Sequence, residues 1–96
     1  MNPFVGTWVG PDEYTSEVQY LVREAGEQLE VCAIDQSDGE VGDVSSVALA
    51  EGELAFVVLW RSTGRVASCR LKLLVEGEAE LTFTFTDHVH LVKRGA

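Results

Sequence analysis

The chain has 96 residues, of which 46% are hydrophobic and 24% are charged. This composition predicts one domain, residues 1–96, with a modest hydrophobic core. Sixteen acidic residues against seven basic ones give a formal net charge of −9 at pH 7. Such a surface repels phosphate backbones and anionic head groups, so neither nucleic acid nor membrane is expected as a partner. The first residues carry no basic, apolar signal segment, which predicts a cytoplasmic protein.

Short segments in which apolar and polar residues alternate run along the whole chain, and this period of two is typical of β-strands. Residues 41–50 alternate imperfectly, so a short helix through Val44, Val47 and Ala48 is the alternative there. Residues 12–16 read as a polar connection with room for one helical turn at most. The predicted strands cover residues 4–9, 17–24, 28–34, 41–50, 54–60, 65–75, 80–86 and 88–93.

Eight candidate strands joined in order by short loops favour a meander. About eight strands suffice to close a barrel and remove its sheet edges. The predicted fold is therefore an all-β, eight-stranded antiparallel up-and-down barrel, and a flattened β-sandwich is the alternative.

The strand at residues 54–60 is apolar on both faces. One face carries large side chains, and the reverse face carries Ala55, Val57 and Leu59. A strand that is apolar on both sides indicates that something covers its outer face. These three residues are therefore a candidate homodimer interface, with an ordinary exposed apolar stripe as the alternative.

The run Phe4-Val5-Gly6-Thr7-Trp8 resembles the N-terminal signature of the calycins, the superfamily of lipocalins, fatty-acid-binding proteins and avidins. The resemblance implies a lipocalin-like barrel in which Gly6 and Trp8 lie at the closed end. It also implies that a basic residue of the last strand, Lys93 or Arg94, packs over the Trp8 indole.

The same resemblance leaves the ligand open. Fatty-acid-binding proteins hold the ligand carboxylate with an Arg-x-Tyr pair in the last strand, and His90 and Val92 stand at those places here. The lipid-carboxylate site is therefore not implied.

Large aromatic side chains occupy the predicted inward faces of several strands. They could line a pocket for a small apolar or aromatic ligand, with Tyr20 as its polar group, or they could simply fill the barrel. The candidate ligand-binding residues are Tyr20, Phe56, Trp60, Phe83, Phe85 and His90.

Residues that carry catalytic or metal chemistry are sparse. His88 and His90 share one strand face and could supply half of a metal site, but no further ligand is indicated, so neither a metal nor another cofactor is predicted. Cys32 and Cys69 read as reduced thiols. The sequence has no nucleophile elbow and no glycine-rich phosphate loop, so an enzyme is not expected.

These observations predict a non-enzymatic small-ligand-binding protein with a small apolar pocket near one barrel mouth. The alternative is a protein-interaction module with a filled barrel. Such a module would act as a homodimer or as an acidic, inhibitor-like partner of a cationic protein.

Overall fold

Alternation of apolar and polar side chains produces antiparallel strands along most of the chain. The computed structural model describes residues 2–12 and 17–95. Within these ranges there is no helix, and hence none long and apolar enough to cross a membrane. The strands are β1 (Gly6–Trp8), β2 (Val18–Ala25), β3 (Gln28–Asp35), β4 (Asp43–Ala50), β5 (Glu53–Trp60), β6 (Arg65–Leu73) and β7 (Ala79–Thr86).

The seven strands form two sheets, ordered β1-β2-β3 and β4-β5-β6-β7, and every neighbouring pair is antiparallel. An isolated bridge between Ile34 and Val41 links the sheets. Beside it, the Gly42 amide donates to the Ala33 carbonyl at 2.8 Å. The all-β, antiparallel prediction is confirmed. Within the described ranges the sheets do not close, because β1 and β7 are both edges, and the sandwich alternative fits this arrangement.

The segment with imperfect alternation forms β4, so the strand interpretation holds and the short-helix alternative is wrong. The pairing of β4 with β5 shifts register between Ser45 and Ala48. Ser46 within this irregularity has a φ of 54°. An extra residue in one strand reverses the side-chain parity beyond it, which explains why the apolar pattern of residues 41–50 changes phase.

The tight hairpins of this chain share one turn chemistry. Hairpin turns whose twist matches the strands need positive φ, which glycine adopts without a steric cost. A glycine with φ between 67° and 79° stands in each of the four hairpins, namely Gly26, Gly52, Gly64 and Gly77.

The core lies between the facing surfaces of the two sheets. Leu54, Phe56 and Val58 of β5 are at most 2% exposed. The Tyr20 ring of the first sheet contacts the Phe56 ring of the second, with their centroids 5.7 Å apart. The buried apolar residues are Phe4, Val22, Val31, Ala33, Leu54, Phe56, Val58, Ala67, Cys69 and Leu71.

The core does not cover the second half of β7. Phe83 and Phe85 lie on the same face as the core residues of β6, since Phe83 pairs with Cys69 and Phe85 with Ala67. Cys69 and Ala67 are buried, yet Phe83 is 53% and Phe85 46% exposed. The core therefore reaches β7 only at its first half, where Ala79 and Leu81 are half-buried against it, and leaves the second half open.

The predicted eighth strand is not formed in the described chain. Residues 87–95 form no strand, and Val89 and Leu91 are 76% and 80% exposed. We call residues 88–93 the C-terminal tail. The radius of gyration is 15.6 Å, whereas a compact chain of this length is expected near 13 Å. Residues 13–16, part of the predicted polar connection, lie outside the described ranges.

The difference in exposure between two neighbouring leucines predicts that their replacement by alanine destabilises the fold to very different extents. Leu54 is fully buried and its cross-strand neighbour Leu49 is 50% exposed. We expect Leu54→Ala to lower the free energy of unfolding by about 3–5 kcal/mol, because it leaves a cavity. The matched Leu49→Ala should cost about 1 kcal/mol or less. Urea denaturation measures both, and equal losses would contradict the core described here.

Candidate functional site

A half-open cleft of about 460 Å³ lies at one end of the molecule. Consecutive strand connections of a meander lie at alternate ends. The β3–β4 connection lies at the opposite end, so the β2–β3 and β4–β5 turns meet at this one. Leu29 and Val47 are half-buried at the cleft and Leu54 is fully buried. The lining residues are Asn2, Glu24, Gly26, Glu27, Gln28, Leu29, Val47, Ala48, Leu49 and Leu54.

The N-terminal segment is held against the rim of this cleft. The Asn2 backbone amide donates to Glu24 Oε1 at 3.0 Å. The Asn2 side-chain oxygen accepts from the Phe4 amide at 2.9 Å, and Phe4 is buried. The buried Phe4 ring therefore fixes Asn2 in place, and Asn2 in turn orients the Glu24 carboxylate at the cleft.

The cleft combines an apolar floor with an acidic rim. Leucine and valine side chains, which we call the floor, supply the smaller, apolar part of its lining, and the carboxylates of Glu24 and Glu27 are its charged groups. No lysine or arginine is among the lining residues. A cation with an apolar body matches both features, since its charge would face the carboxylates and its body the leucines.

The predicted ligand-binding residues fall into three separate places, and none of them lines this cleft. Tyr20 and Phe56 pack together inside the core. Phe83 and Phe85 form an edge-to-face pair with ring centroids 5.3 Å apart on the open face of β7. Trp60 packs half-buried against the core, and His90 is exposed in the C-terminal tail.

The predicted closure of the first strand onto the last is absent from the described residues. β1, which contains Gly6 and Trp8, pairs with β2 alone. Trp8 is half-buried and its Nε1 donates to the Phe4 carbonyl at 2.8 Å. Lys93 and Arg94 are exposed beyond β7. A cation–π contact instead joins Arg65 to the Phe85 ring, 4.8 Å from its centroid.

The candidate interface residues Ala55, Val57 and Leu59 lie on the reverse face of β5, where each is half-buried. Ala55 and Val57 line a shallow groove of about 340 Å³ together with Arg70 and Thr82, among others. Polar neighbours from β6 and β7 flank this apolar stripe, so it is narrower than the open face of β7.

Two titratable groups inside the core are held neutral. Burial raises the pKa of the Cys69 thiol from 9.0 to about 11. Burial, followed by the charge of the Cys69 thiolate, raises the pKa of the Tyr20 hydroxyl from 10.0 to about 12. Cys32 and Cys69 are both free thiols. Neither Cys69 nor Tyr20 is therefore ionised at neutral pH.

Within the described ranges, no group of three or more His, Cys, Asp or Glu side chains is placed to hold a metal ion. His88 stacks against Gly64 in the β5–β6 turn, where a Cβ atom would lie 2.7 Å from the His88 Cε1. His88 therefore packs against the turn that opens β6.

Comparisons with known proteins return no matching family model, no similar curated protein and no similar solved structure.

Sequence reasoning missed the cleft because no single segment contains it. Its acidic rim comes from the β2–β3 hairpin, and part of its apolar floor comes from β4 and β5. The signal in the sequence was the order of the strands. In a meander every second connection lies at the same end, which groups the turn at residues 25–27 with that at residues 51–52.

The raised pKa values predict a specific loss of stability in alkali. In the unfolded chain the thiol ionises near 9.0 and the phenol near 10.0, before their folded counterparts. The stability contributed by the neutral groups is complete below about pH 9. It is lost as the pH rises towards the folded pKa of Cys69 near 11 and then of Tyr20 near 12.

Urea midpoints measured between pH 8 and pH 11 test this loss. We expect Cys69→Ala to flatten the first part of the decline and Cys32→Ala to leave it as in the wild type. A Cys69→Ala variant that declines as steeply as the wild type would assign the effect to other groups.

Proposed function

We propose that this chain is a non-enzymatic binding protein whose end cleft takes a small apolar molecule that carries a positive charge, such as an aromatic amine. The observation that carries this proposal is the joining of an apolar floor and an acidic rim in one cleft of about 460 Å³. This volume lies within the range of clefts that hold small ligands, about 300–1,000 Å³.

The floor supplies the apolar part of binding. Leu49 is 50% exposed beside the fully buried Leu54, so a ligand ring at this place would remove leucine surface from water. Burial of apolar surface is worth about 25 cal/mol per Å² before the costs of association are subtracted. A ring in contact with Leu29 and Leu49 would therefore gain affinity without any change in the sheets.

The charge of the surrounding structure favours a cation. Residues 1–53 hold twelve acidic residues and one basic residue, a net charge of −11, whereas residues 54–96 hold four acidic and six basic residues, a net charge of +2. The cleft lies mainly within the acidic part, with Glu24 and Glu27 at its rim. Such a field raises the local concentration and association rate of cations and weakens with salt.

We also keep the calycin-type barrel as a proposal. It requires an eighth strand beside β7, and the alternating pattern of residues 88–93 suits that strand whether the same chain or a second copy supplies it. A cytoplasmic location belongs to the same proposal, and the free thiols of Cys32 and Cys69 support it, since thiols persist in reducing compartments.

A protein-interaction function is the second candidate, and a specific observation favours it. Phe83 and Phe85 present a half-exposed aromatic pair beside an unpaired sheet edge. Exposed apolar surface of this kind marks contact sites in many proteins.

Titration with two matched probes, 2-phenylethylamine and 3-phenylpropionate, tests the cleft. In an amide NMR spectrum we expect the amine to shift Gly26, Leu29 and Leu49 in a saturable way. The carboxylate should leave them unmoved, because its charge is repelled. Glu27→Gln should weaken amine binding by roughly three- to tenfold, since about 1.4 kcal/mol corresponds to tenfold.

The control is Glu17→Gln, which makes the same change of charge at the other end of β2 and should leave the affinity unaltered. Equal binding of both probes would refute the role of the acidic rim. Shifts confined to Phe83 and Phe85 would move the site to β7, and an absence of saturable shifts with either probe would refute the ligand proposal.

A further inference from the structure

The outer edge of β7 has the features of a strand that pairs with another chain. β7 ends the second sheet, so its outer N–H and C=O groups have no strand partner in the described chain. Its register with β6 runs without a break from Val66–Thr86 to Leu73–Ala79. Natural edges are usually blunted by bulges, proline or charged side chains. β7 has no bulge and no proline, and Glu80 is its one charged residue.

The C-terminal tail has the sequence pattern of a strand but lies exposed. In His88-Val89-His90-Leu91, polar and apolar residues alternate, which is the pattern of a half-buried strand. Val89 and Leu91 are nevertheless 76% and 80% exposed. Thus an exposed edge and an exposed strand-like segment follow one another in the same chain.

The junction between β7 and the tail does not turn back. Each hairpin of the chain has a glycine at positive φ, whereas neither Asp87 nor His88 has positive φ. Arg65 lies opposite Asp87, with Nη2 to Oδ2 at 3.2 Å, and Gly64 lies opposite His88. These two contacts continue the register of the β6–β7 pair by two residues, so β7 keeps its direction through Asp87 and His88.

We propose that two copies of this chain form a two-fold dimer by exchanging their C-terminal tails. The tail of each copy adds as an antiparallel strand to the β7 edge of the other. Because β7 keeps its direction into the tail as far as His88, a two-fold axis beside Thr86 places residues 86–93 of one copy along residues 79–86 of the other. The four-stranded sheet of each copy then gains a fifth strand from its partner.

The register set by this axis is chemically consistent. Phe83 of one copy lies opposite Val89 of the other, and Leu81 lies opposite Leu91, so four apolar side chains meet on the open face of β7. Cross-strand pairs of this kind are the unit of sheet stabilisation. Arg94 lies opposite Glu78, and Thr86 meets its own copy, so no like charges face each other.

The distribution of charge limits the repulsion between two copies at this edge. Two proteins with a net charge of −9 repel one another on average. The proposed contact, however, joins the parts that include residues 54–96, where the net charge is +2, and keeps the acidic first sheets away from the contact. Repulsion between groups separated by more than about 10 Å is largely screened at 0.1 M salt.

Sedimentation equilibrium of the full chain over a wide range of concentration tests the proposal. We expect a mass of twice 10.5 kDa at high concentration. Leu91→Pro should return the chain to a monomer, because proline removes a ladder donor. Leu91 is 80% exposed in the single chain, so this change leaves the body folded.

The matched control is Gly95→Pro, which places proline beyond the paired segment and should keep the dimer. A wild-type chain that stays monomeric at every concentration would overturn the proposal, as would a Leu91→Pro variant that remains a dimer.

A disulfide test separates exchange from folding back. In a background that carries both Cys32→Ser and Cys69→Ala, since Cys69 pairs directly with position 83, a chain with Phe83→Cys and Val89→Cys is oxidised and analysed without reductant. Exchange gives a covalent dimer, whereas an internal disulfide at monomer mass would show that the tail folds onto its own β7 and would overturn the proposal. Ligand binding at the cleft is measured on separate variants. The dimer proposal and the ligand proposal can therefore be refuted independently.

Discussion

The dominant constraint on this structure is that a three-stranded sheet has to cover a four-stranded one. The covering sheet is narrower still, because β1 contributes only three residues. Contact between the sheets, of which the Tyr20–Phe56 pair is the clearest example, buries the inner face of β5 and β6. Within the described chain that cover reaches only the first half of β7, where Ala79 and Leu81 pack half-buried against the core. The buried core, the open aromatic pair and the exposed tail all follow from this mismatch of width.

The same meander decides where chemistry is placed. Consecutive strand connections alternate between the two ends. The carboxylates of the β2–β3 turn therefore lie near the leucines beside the β4–β5 turn. The aromatic residues that look functional in the sequence instead pack into the core or stand on β7. The acidic and apolar lining of the cleft therefore depends on which two turns lie at the same end, because most of its side chains stand beside those turns.

Much of the fold could be predicted from alternation alone. The sequence places six of the strands within about two residues of their observed ends, because period two is a local property that each segment carries. The first strand is shorter than predicted, since only Gly6–Trp8 pairs with β2. The cleft could not be predicted in the same way, because Glu24, Leu29 and Leu49 become neighbours only through sheet packing. The calycin resemblance of residues 4–8 concerns one strand, and its expected partners Lys93 and Arg94 lie beyond the last hairpin.

The C-terminal tail shows why a strand pattern and a strand are different predictions. Alternation states that one face of a segment would be apolar if the segment were paired, and His88 to Leu91 satisfies that condition. Pairing within one chain also needs a turn that reverses the backbone, and residues 86–89 have neither a glycine nor a positive φ. The prediction of eight strands rests on this alternation and on a last reversing turn, and residues 86–89 do not form that turn. A segment that alternates like a strand but is not preceded by a reversing turn buries its apolar face most directly by pairing with the edge of another copy.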